Sequence, residues 1–569
     1  MVWTVGRRTF VGGMGSAGVL AASGVAGAKT PAANKKPLNI LMIVTDQEQS
    51  FASFPKGLME KLPGHRELMA RGLTIDNYHV HTTPCSPSRS TIFTGQHTQH
   101  TGVYLNSSGE TDPYLPVDMP TLGDMMREAG YYTSYKGKWH LSPINEKRDW
   151  NQVSGLIYPA SENAMEIYGF DDYNFDGEAV GLTWDGYRHD HYIAGDAARS
   201  ILDFKEKDKA GGKPWFMVVG LINPHDIMFY DATGKQTETR AHPYLLAPLR
   251  PEPGDPLYAE DNGFDMPESF YKDDLSTKPE AHRGMAASND RTFGQLPLPD
   301  EASWRRFRNY YYNCIRDVDR RINQLLWSLE ASGQMENTII IYTADHGERA
   351  GAHGMRQKGG TVYREETNVP MIIVHPEVAG GQRTDRLMSS LDIAPTLLSF
   401  SGKDADWRKK TYPALHGVDV SPLLKEPNAR TERDIRGHLF NYAVGYGWEP
   451  VAGKGPNADF SERFDMNYRR LHRGIHDGRW KFARYFAPAH HHQPRNWDEL
   501  SKNNDLELYD TLADPNEITN LAYDPAQRKN ILRLNAMVNT LVDREVGKGL
   551  DDGREYPGPV ELYTKPLPA

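Results

Sequence analysis

Four stretches of the chain are apolar without alternation. Residues 39–45 (Asn-Ile-Leu-Met-Ile-Val-Thr) end at Asp46, residues 215–222 lead into Asn223-Pro224-His225, and residues 338–343 lead through Ala344 into Asp345-His346-Gly347. Residues 370–375 form the fourth, with no chemistry close behind them. Unbroken apolar runs of this length predict strands buried on both faces, the habit of a parallel sheet. Elsewhere the apolar positions follow a helical period. Helices are predicted over 121–129, 195–205 and 304–332. In the last, Tyr311, Ile315, Val318, Ile322, Leu325, Leu326 and Leu329 make one stripe, with Cys314 beside it. Strands alternating with helices predict an α/β sandwich. In open α/β sheets ligands gather outside the carboxyl ends of the strands, and three of these four runs lead into polar, ligand-capable residues.

Periodicity fails over 226–300, a stretch rich in Pro, Gly, Asp and aromatics such as Phe229, Tyr230, Tyr258 and Phe270. A long aperiodic stretch inside a compact domain is usually functional or unstructured; here it reads as an insertion forming a lid or substrate wall. A polar stretch with Pro427 marks a boundary, so the main domain is expected over 38–428. Strands predicted over 434–442, 480–486 and 505–509, with a helix over 530–542, make a smaller α+β domain, 429–545, around an antiparallel sheet. The Pro-rich end, 546–569, reads as an extended tail. His490, His491 and His492 are consecutive, so they cannot all face one ion in regular structure; they read as a surface loop.

Charge and the N-terminus add a compartment and exclude a partner. The 569 residues carry a net charge of −10. That argues against nucleic acid, which needs a basic footprint, and requires any anionic substrate to be drawn by a local positive site. Arg7-Arg8 precede a mild Gly/Ala run ending at Ala26-Gly27-Ala28. This is similar to a twin-arginine export signal over 1–28, followed by a Pro/Ala/Lys linker over 29–37. The run is too short and glycine-rich for a membrane span. An exported, periplasmic protein that engages the twin-arginine machinery is therefore expected. There are two cysteines. A Cys85–Cys314 disulfide is open to an oxidising compartment, but Cys85 has a better use.

Asp46 and Asp345 each follow a predicted buried strand, so their carboxylates can converge on one cation. Gln47 adds a carbonyl oxygen and His346 an imidazole. Mostly oxygen donors suit Ca²⁺, the first choice, or Mg²⁺, and the nitrogen keeps Mn²⁺ as a rival. Cys85, Pro87, Ser88 and Arg89 spell C-x-P-S-R, followed by Thr94-Gly95 and Thr101-Gly102-Val103. This resembles the motif by which sulfatases are recognised for conversion of a cysteine to Cα-formylglycine. Gly137-Lys138-Trp139-His140-Leu141, after Gly130-Tyr131-Tyr132-Thr133, is similar to the family's second motif. Asn223-Pro224-His225, the 343–348 segment with His353-Gly354 and Lys358, and Glu507-Leu508-Tyr509-Asp510 with Asp514-Pro515 extend the likeness over most of 38–540. The chain thus resembles the formylglycine sulfatases of the alkaline phosphatase superfamily.

The resemblance implies an alkaline-phosphatase-like sandwich: a large, mostly parallel sheet flanked by helices, plus the smaller antiparallel domain. It implies that Asp46, Gln47, Asp345 and His346 hold a divalent metal. Arg89, Lys138, His140, His225 and Lys358 would surround the formylglycine at position 85, with Lys138, His225 and Lys358 touching substrate. The implied activity is hydrolysis of a sulfate monoester, of a small molecule or a saccharide, after a formylglycine-generating enzyme has acted on Cys85. The hydrated aldehyde would attack sulfur while Lys138 and Lys358 neutralise the oxygens. His225 would protonate the departing alcohol, and His140 would deprotonate the second hydroxyl, so that the aldehyde reforms and sulfate leaves. One departure stands out. Many sulfatases carry two adjacent aspartates after the first strand; here the pair is Asp46-Gln47, similar to choline sulfatases and phosphonate monoester hydrolases. Phosphonate monoester or phosphodiester hydrolysis is the alternative. A non-catalytic binding protein with a relict site is the reading from another class, and the presence of every expected catalytic residue type speaks against it. The substrate walls are expected from 226–300, 438–448 (His438, Tyr442, Trp448) and 486–497.

Overall fold

The computed structural model describes residues 37–107, 114–142, 163–173, 179–240, 247–441, 467–487, 490 and 493–547. The expected export signal, Tyr442, Trp448, His491, His492 and the tail beyond 547 lie outside the described residues. In chain order the main domain contains β1 (Asn39–Asp46), β2 (Leu73–His79), α1 (Cys85–Thr94), α2 (Leu122–Glu128), β3 (Tyr132–Gly137), α3 (Asp185–Glu206), β4 (Trp215–Pro224), α4 (Glu280–Phe293), α5 (Glu301–Ala331), β5 (Thr338–Ala344), β6 (Met371–Val374), β7 (Gln382–Ser389) and α6 (Ile393–Phe400). The smaller domain contains β8 (His438–Asn441), β9 (Leu471–His476), β10 (Trp480–Phe486), β11 (Asn504–Asp510) and α7 (Arg528–Leu541).

The large sheet has seven strands in the order β3-β4-β1-β5-β6-β2-β7. Strand β1 shows why it is a sandwich. Its Ile40, Met42 and Val44 enter one apolar core with α1, α2 and α6, while Leu41 and Ile43 enter the other with α3 and α5. Each such fully buried side chain stabilises the fold by about 2 kcal/mol. The predicted stripe of α5 faces inward, with Val318, Ile322, Leu325 and Leu329 in the second core. Cys314 is buried in a third cluster with Tyr311 and Ile315, and both thiols are free. The Cys85–Cys314 disulfide is therefore not formed.

Several expectations change. The fourth apolar run, β6, is a buried strand, but it runs antiparallel to both β5 and β2. The other neighbouring pairs of the large sheet are parallel. Helix α3 starts ten residues before the predicted 195, because the Asp226 carboxylate accepts from the Gly186 and Tyr187 N–H groups at 2.9 and 2.8 Å and caps its first turn. Residues 434–436 are not strand. They end a short helix, Glu432–Arg436, that Thr431 caps and Gly437 stops at φ +79°. Only then does β8 begin. The small sheet is antiparallel, in the order β11-β10-β9-β8.

The 226–300 stretch holds helices Gln236–Thr239, Pro256–Ala259, Glu268–Lys272 and α4. Lys278 reaches the small domain, donating to Tyr509 Oη (3.2 Å) and to the carbonyls of Glu517 (2.8 Å) and Ile518 (2.7 Å). His282 of α4 sits between Tyr363 Oη at 3.0 Å and Tyr485 Oη at 3.2 Å. This half of the stretch packs against the small sheet and the segment around Tyr363. His438 is likewise not an accessible wall: it is fully buried, with Nε2 at 3.2 Å from the Val80 carbonyl. His490 is exposed. The final turn, Val542–Gly547, keeps Val546 buried, so packed structure reaches past 545. Among the described residues no helix is long and apolar enough to cross a membrane.

Candidate active site

Strands β3, β4, β1 and β5 are parallel neighbours, so their carboxyl ends lie on one edge of the sheet. Asp46 closes β1, Asp345 follows β5, His225 follows β4, and Lys138 follows β3. Helix α1 brings Cys85 to the same place as its first residue, and all ten residues of α1 are buried. Pro87 is tolerated in the first turn, where an N–H has no partner to lose, and Gly95 ends the helix at φ +66°. The motif's serines fasten α1 in position: Ser86 Oγ donates to the His140 carbonyl at 2.5 Å, and Ser88 Oγ donates to the Asp345 carbonyl. A helix start favours negative charge, and position 85 occupies it.

The predicted metal ligands converge. Cys85 Sγ is 3.1 Å from His346 Nε2 and 3.7 Å from Asp46 Oδ1. One ligand atom each from Asp46, Cys85, Asp345 and His346 lie within 4.8 Å of one another, all buried. Gln47 stands beside them at φ +76°, a left-handed conformation unusual for a residue with a Cβ. Its carbonyl accepts from Tyr311 Oη at 2.8 Å and its N–H donates to Asp345 Oδ1 at 3.2 Å. Its Oε1 accepts from Lys358 Nζ. Two carboxylates, an amide oxygen and an imidazole fit a hard divalent ion with one nitrogen ligand.

Cations frame these acceptors. Arg89 is a clamp: Nε donates to Asp345 Oδ2 at 2.8 Å, Nη1 donates to the Lys138 carbonyl at 2.8 Å, and Nη2 lies 3.5 Å from Asp46 Oδ2. Lys138 Nζ is 2.6 Å from Asp46 Oδ2 and donates to the Val180 carbonyl at 2.5 Å. Burial alone would raise the Asp46 carboxyl, but Lys138, His225, Lys358 and His346 hold it well below the usual carboxylate range. Burial and Asp46 push the Cys85 thiol up, while Lys358, Lys138 and His346 pull it to a net value below its usual one. The pocket is thus arranged for an anion at position 85. Burial would lower His346, yet Asp345 and Cys85 raise it to about 9. His225 is held well below the ordinary histidine value by burial and Lys358, against Asp46. His140 is held there by burial, Lys138 and Arg89.

All ten predicted site residues therefore gather at one sheet edge. The sequence reading gave no role to several others. Glu348 accepts from Gln47 Nε2 at 2.5 Å. Tyr311 looked like a core position of α5 yet holds the Gln47 carbonyl. Gly181, at φ +101°, backs onto the His225 ring; a Cβ there would lie 2.5 Å from Nδ1. Met228 Sδ is 3.8 Å from Lys358 Nζ. A lone glycine before α3 and a methionine in the aperiodic 226–300 stretch carry no sequence signal of this. Glu348, three residues past Asp345, had one.

The chain is 25% identical over 502 residues to a choline-sulfatase of Rhizobium meliloti, covering 86% of this chain and 83% of the relative. It is 24% identical over 483 residues to a Delta 4,5-hexuronate-2-O-sulfatase of Bacteroides thetaiotaomicron, covering 84% and 83%. Among solved structures it is similar to a 2-O GAG sulfatase, with a TM-score of 0.63, 21% identity, and 92% and 94% of the two chains covered. A sequence model of the sulfatase family matches residues 38–403, from just before β1 to just past α6, so the chain belongs to that family, within the alkaline phosphatase superfamily, and is a sulfuric ester hydrolase.

Proposed function

We propose that the protein hydrolyses a sulfate monoester through a formylglycine made from Cys85, beside a divalent cation held by Asp46, Gln47, Asp345 and His346. One observation carries this reading: a buried cysteine at a helix start shares its pocket with two carboxylates, a histidine and three cations. Once formed and hydrated, the aldehyde supplies one oxygen to attack sulfur and a second hydroxyl to release sulfate. The cation, with Ca²⁺ as first choice, supplies positive charge that favours the ionised hydroxyl.

The chain's own residues do the rest. Lys138 and Lys358 stand where they can bind the nonbridging oxygens, and fixed charge there is usually the largest catalytic contribution. Arg89 keeps Asp345 and Asp46 oriented. His140 is neutral, as a base must be before it accepts a proton. His225 serves the leaving alcohol as general acid. Burial first, then Lys358 and Lys138, hold its pKa low; the arriving sulfate offsets the two lysine charges and so shifts the ring toward its protonated form. A saccharide sulfate is the first substrate class to test, supported by the hexuronate-2-O-sulfatase likeness. Gln47 favours a second reading, phosphonate monoester hydrolysis. Paired kcat/KM values for an aryl sulfate and an aryl phosphonate decide between them; a larger value for the phosphonate overturns the first. We further propose a periplasmic enzyme, on the strength of Arg7-Arg8 and the Gly/Ala run after them. Replacing both arginines with lysine should retain the protein in the cytoplasm, and unchanged export would contradict this.

A further inference from the structure

We propose that Glu348 is a positioning residue that fixes the Gln47 amide with Oε1 toward the ion site, and that it makes an amide, rather than a carboxylate, the group position 47 requires. The inference rests on the reading that Gln47 stands beside a divalent ion.

Glu348 is fully buried. Its Oε1 accepts from the Gln357 N–H at 2.6 Å and the Ala350 N–H at 3.0 Å. Its Oε2 accepts from Gln47 Nε2 at 2.5 Å. On the other side of the amide, Lys358 Nζ donates to Oε1. A lysine ammonium only donates, and a carboxylate that receives three N–H groups only accepts. Between these two neighbours the amide has one satisfied orientation. Turned over, it would face an ammonium with an NH₂ group and a carboxylate with an oxygen. The backbone of Gln47 is pinned as well, by Tyr311 and Asp345. The oxygen is therefore presented before any ion arrives.

The same geometry explains the residue type. A glutamate at 47 has the shape of glutamine, but it would set a second carboxylate oxygen about 2.5 Å from Glu348 Oε2. A carboxylate at 47 has no N–H to offer, so two acceptor oxygens would meet with no donor between them. The negative charge that an adjacent aspartate pair would place at position 47 sits here on Glu348, one hydrogen bond farther from the ion.

The test is calcium binding by calorimetry on chelator-stripped protein, with the thermal midpoint of the same samples reporting folding. Glu348→Gln should weaken Ca²⁺ binding about tenfold or more. Gln47→Glu should also weaken it, although it adds a charged oxygen. The exchange Gln47→Glu with Glu348→Gln should recover Ca²⁺ affinity to within about threefold of wild type. The amide now at 348 can accept both backbone N–H groups and donate to the carboxylate at 47. A single variant that fails to fold is judged by whether the exchange recovers folding and Ca²⁺ binding together. Wild-type affinity in Glu348→Gln, or tighter binding in Gln47→Glu with no recovery in the exchange, would overturn the proposal. If Asp345→Asn abolishes Ca²⁺ binding while Glu348→Gln does not change it, Glu348 loses its role and the hydrolase reading stands. If wild-type protein turns over sulfate esters without taking up Ca²⁺, Mg²⁺ or Mn²⁺, the ion reading falls and Glu348's role falls with it.

Discussion

Neutral histidines line the seam between the two sheets, and they should make the fold acid-labile. The His79 ring lies 4.9 Å from His476 and 5.5 Å from His438, centre to centre. His81 Nδ1 is 2.7 Å from the Leu439 carbonyl. All four rings are buried. Burial first, and neighbouring charges second, hold His79, His81 and His438 well below the ordinary value. For His476, burial and Lys481 outweigh Asp477 and bring it to about 3. Geometry agrees: the Gly478 N–H donates to His476 Nδ1 at 3.2 Å, so that nitrogen carries no proton. Below about pH 6.5 the unfolded chain binds a proton at this position and the native protein does not. Stability therefore falls as pH drops from about 6.5 toward 3. At about pH 5 the loss through His476 alone is about 2 kcal/mol, since each unit is worth about 1.4 kcal/mol. Urea unfolding followed by tryptophan fluorescence measures this. His476→Gln should flatten the acid limb by about 1.4 kcal/mol per pH unit between about pH 5 and pH 6. Parallel limbs for wild type and variant would refute the reasoning. His65 sets the opposite limb. Burial lowers it, but Asp319 and Glu48 raise it to about 9. Its contribution is full below about pH 6.5 and is lost as pH rises through 9.

Four further outcomes are expected. Gly181→Ala should displace the His225 ring and cut kcat about tenfold to hundredfold for esters of poor leaving groups, with little loss for activated aryl sulfates; equal losses would remove His225 as general acid. Arg89→Lys cannot reproduce the fork to Asp345, Asp46 and the Lys138 carbonyl, so it should lower unfolding free energy by about 2–3 kcal/mol and activity with it, measured by urea titration and turnover. Because, against burial, Asp345 and the Cys85 thiol lift His346 to about 9 in ion-free, unconverted protein, Ca²⁺ binding to that form should release a proton and tighten as pH rises toward 9; calorimetry across pH in buffers of different ionisation enthalpy that finds neither would contradict this. Cys85→Ala should abolish turnover and leave the thermal midpoint nearly unchanged, and retained activity would contradict the assignment.

The sequence exposed what periodicity and motif chemistry can carry. The runs that became β1, β4 and β5 are buried on both faces, so their apolar stretches were unbroken and their ends pointed to Asp46, His225 and Asp345. Strands β2, β7 and β9 were hidden by polar residues. β7 is partly exposed, with charges at Arg383, Asp385 and Arg386, while β9 buries His472, Arg473 and His476, so no alternation announces it. The direction of β6 was not legible, because an apolar run looks the same whichever way it pairs. At the site, residue types that perform chemistry were visible. Those that act by shape or orientation were not: Gly181 matters for the Cβ it lacks and Tyr311 for one hydroxyl on an otherwise apolar helix face; Glu348 stood in the 343–348 motif, but its hold on its neighbour's amide could not be read there. His438 was misplaced because an aromatic, polar stretch reads alike at a pocket rim and in a buried seam.

The central claim is that the side chain at position 85 works as an aldehyde. Peptide mass spectrometry across residues 82–91 of active protein, made in a host with a formylglycine-generating enzyme, tests it most directly. The mass change of a thiol becoming an aldehyde, in proportion to specific activity, is the predicted result. Fully active protein that carries an intact cysteine there would contradict it.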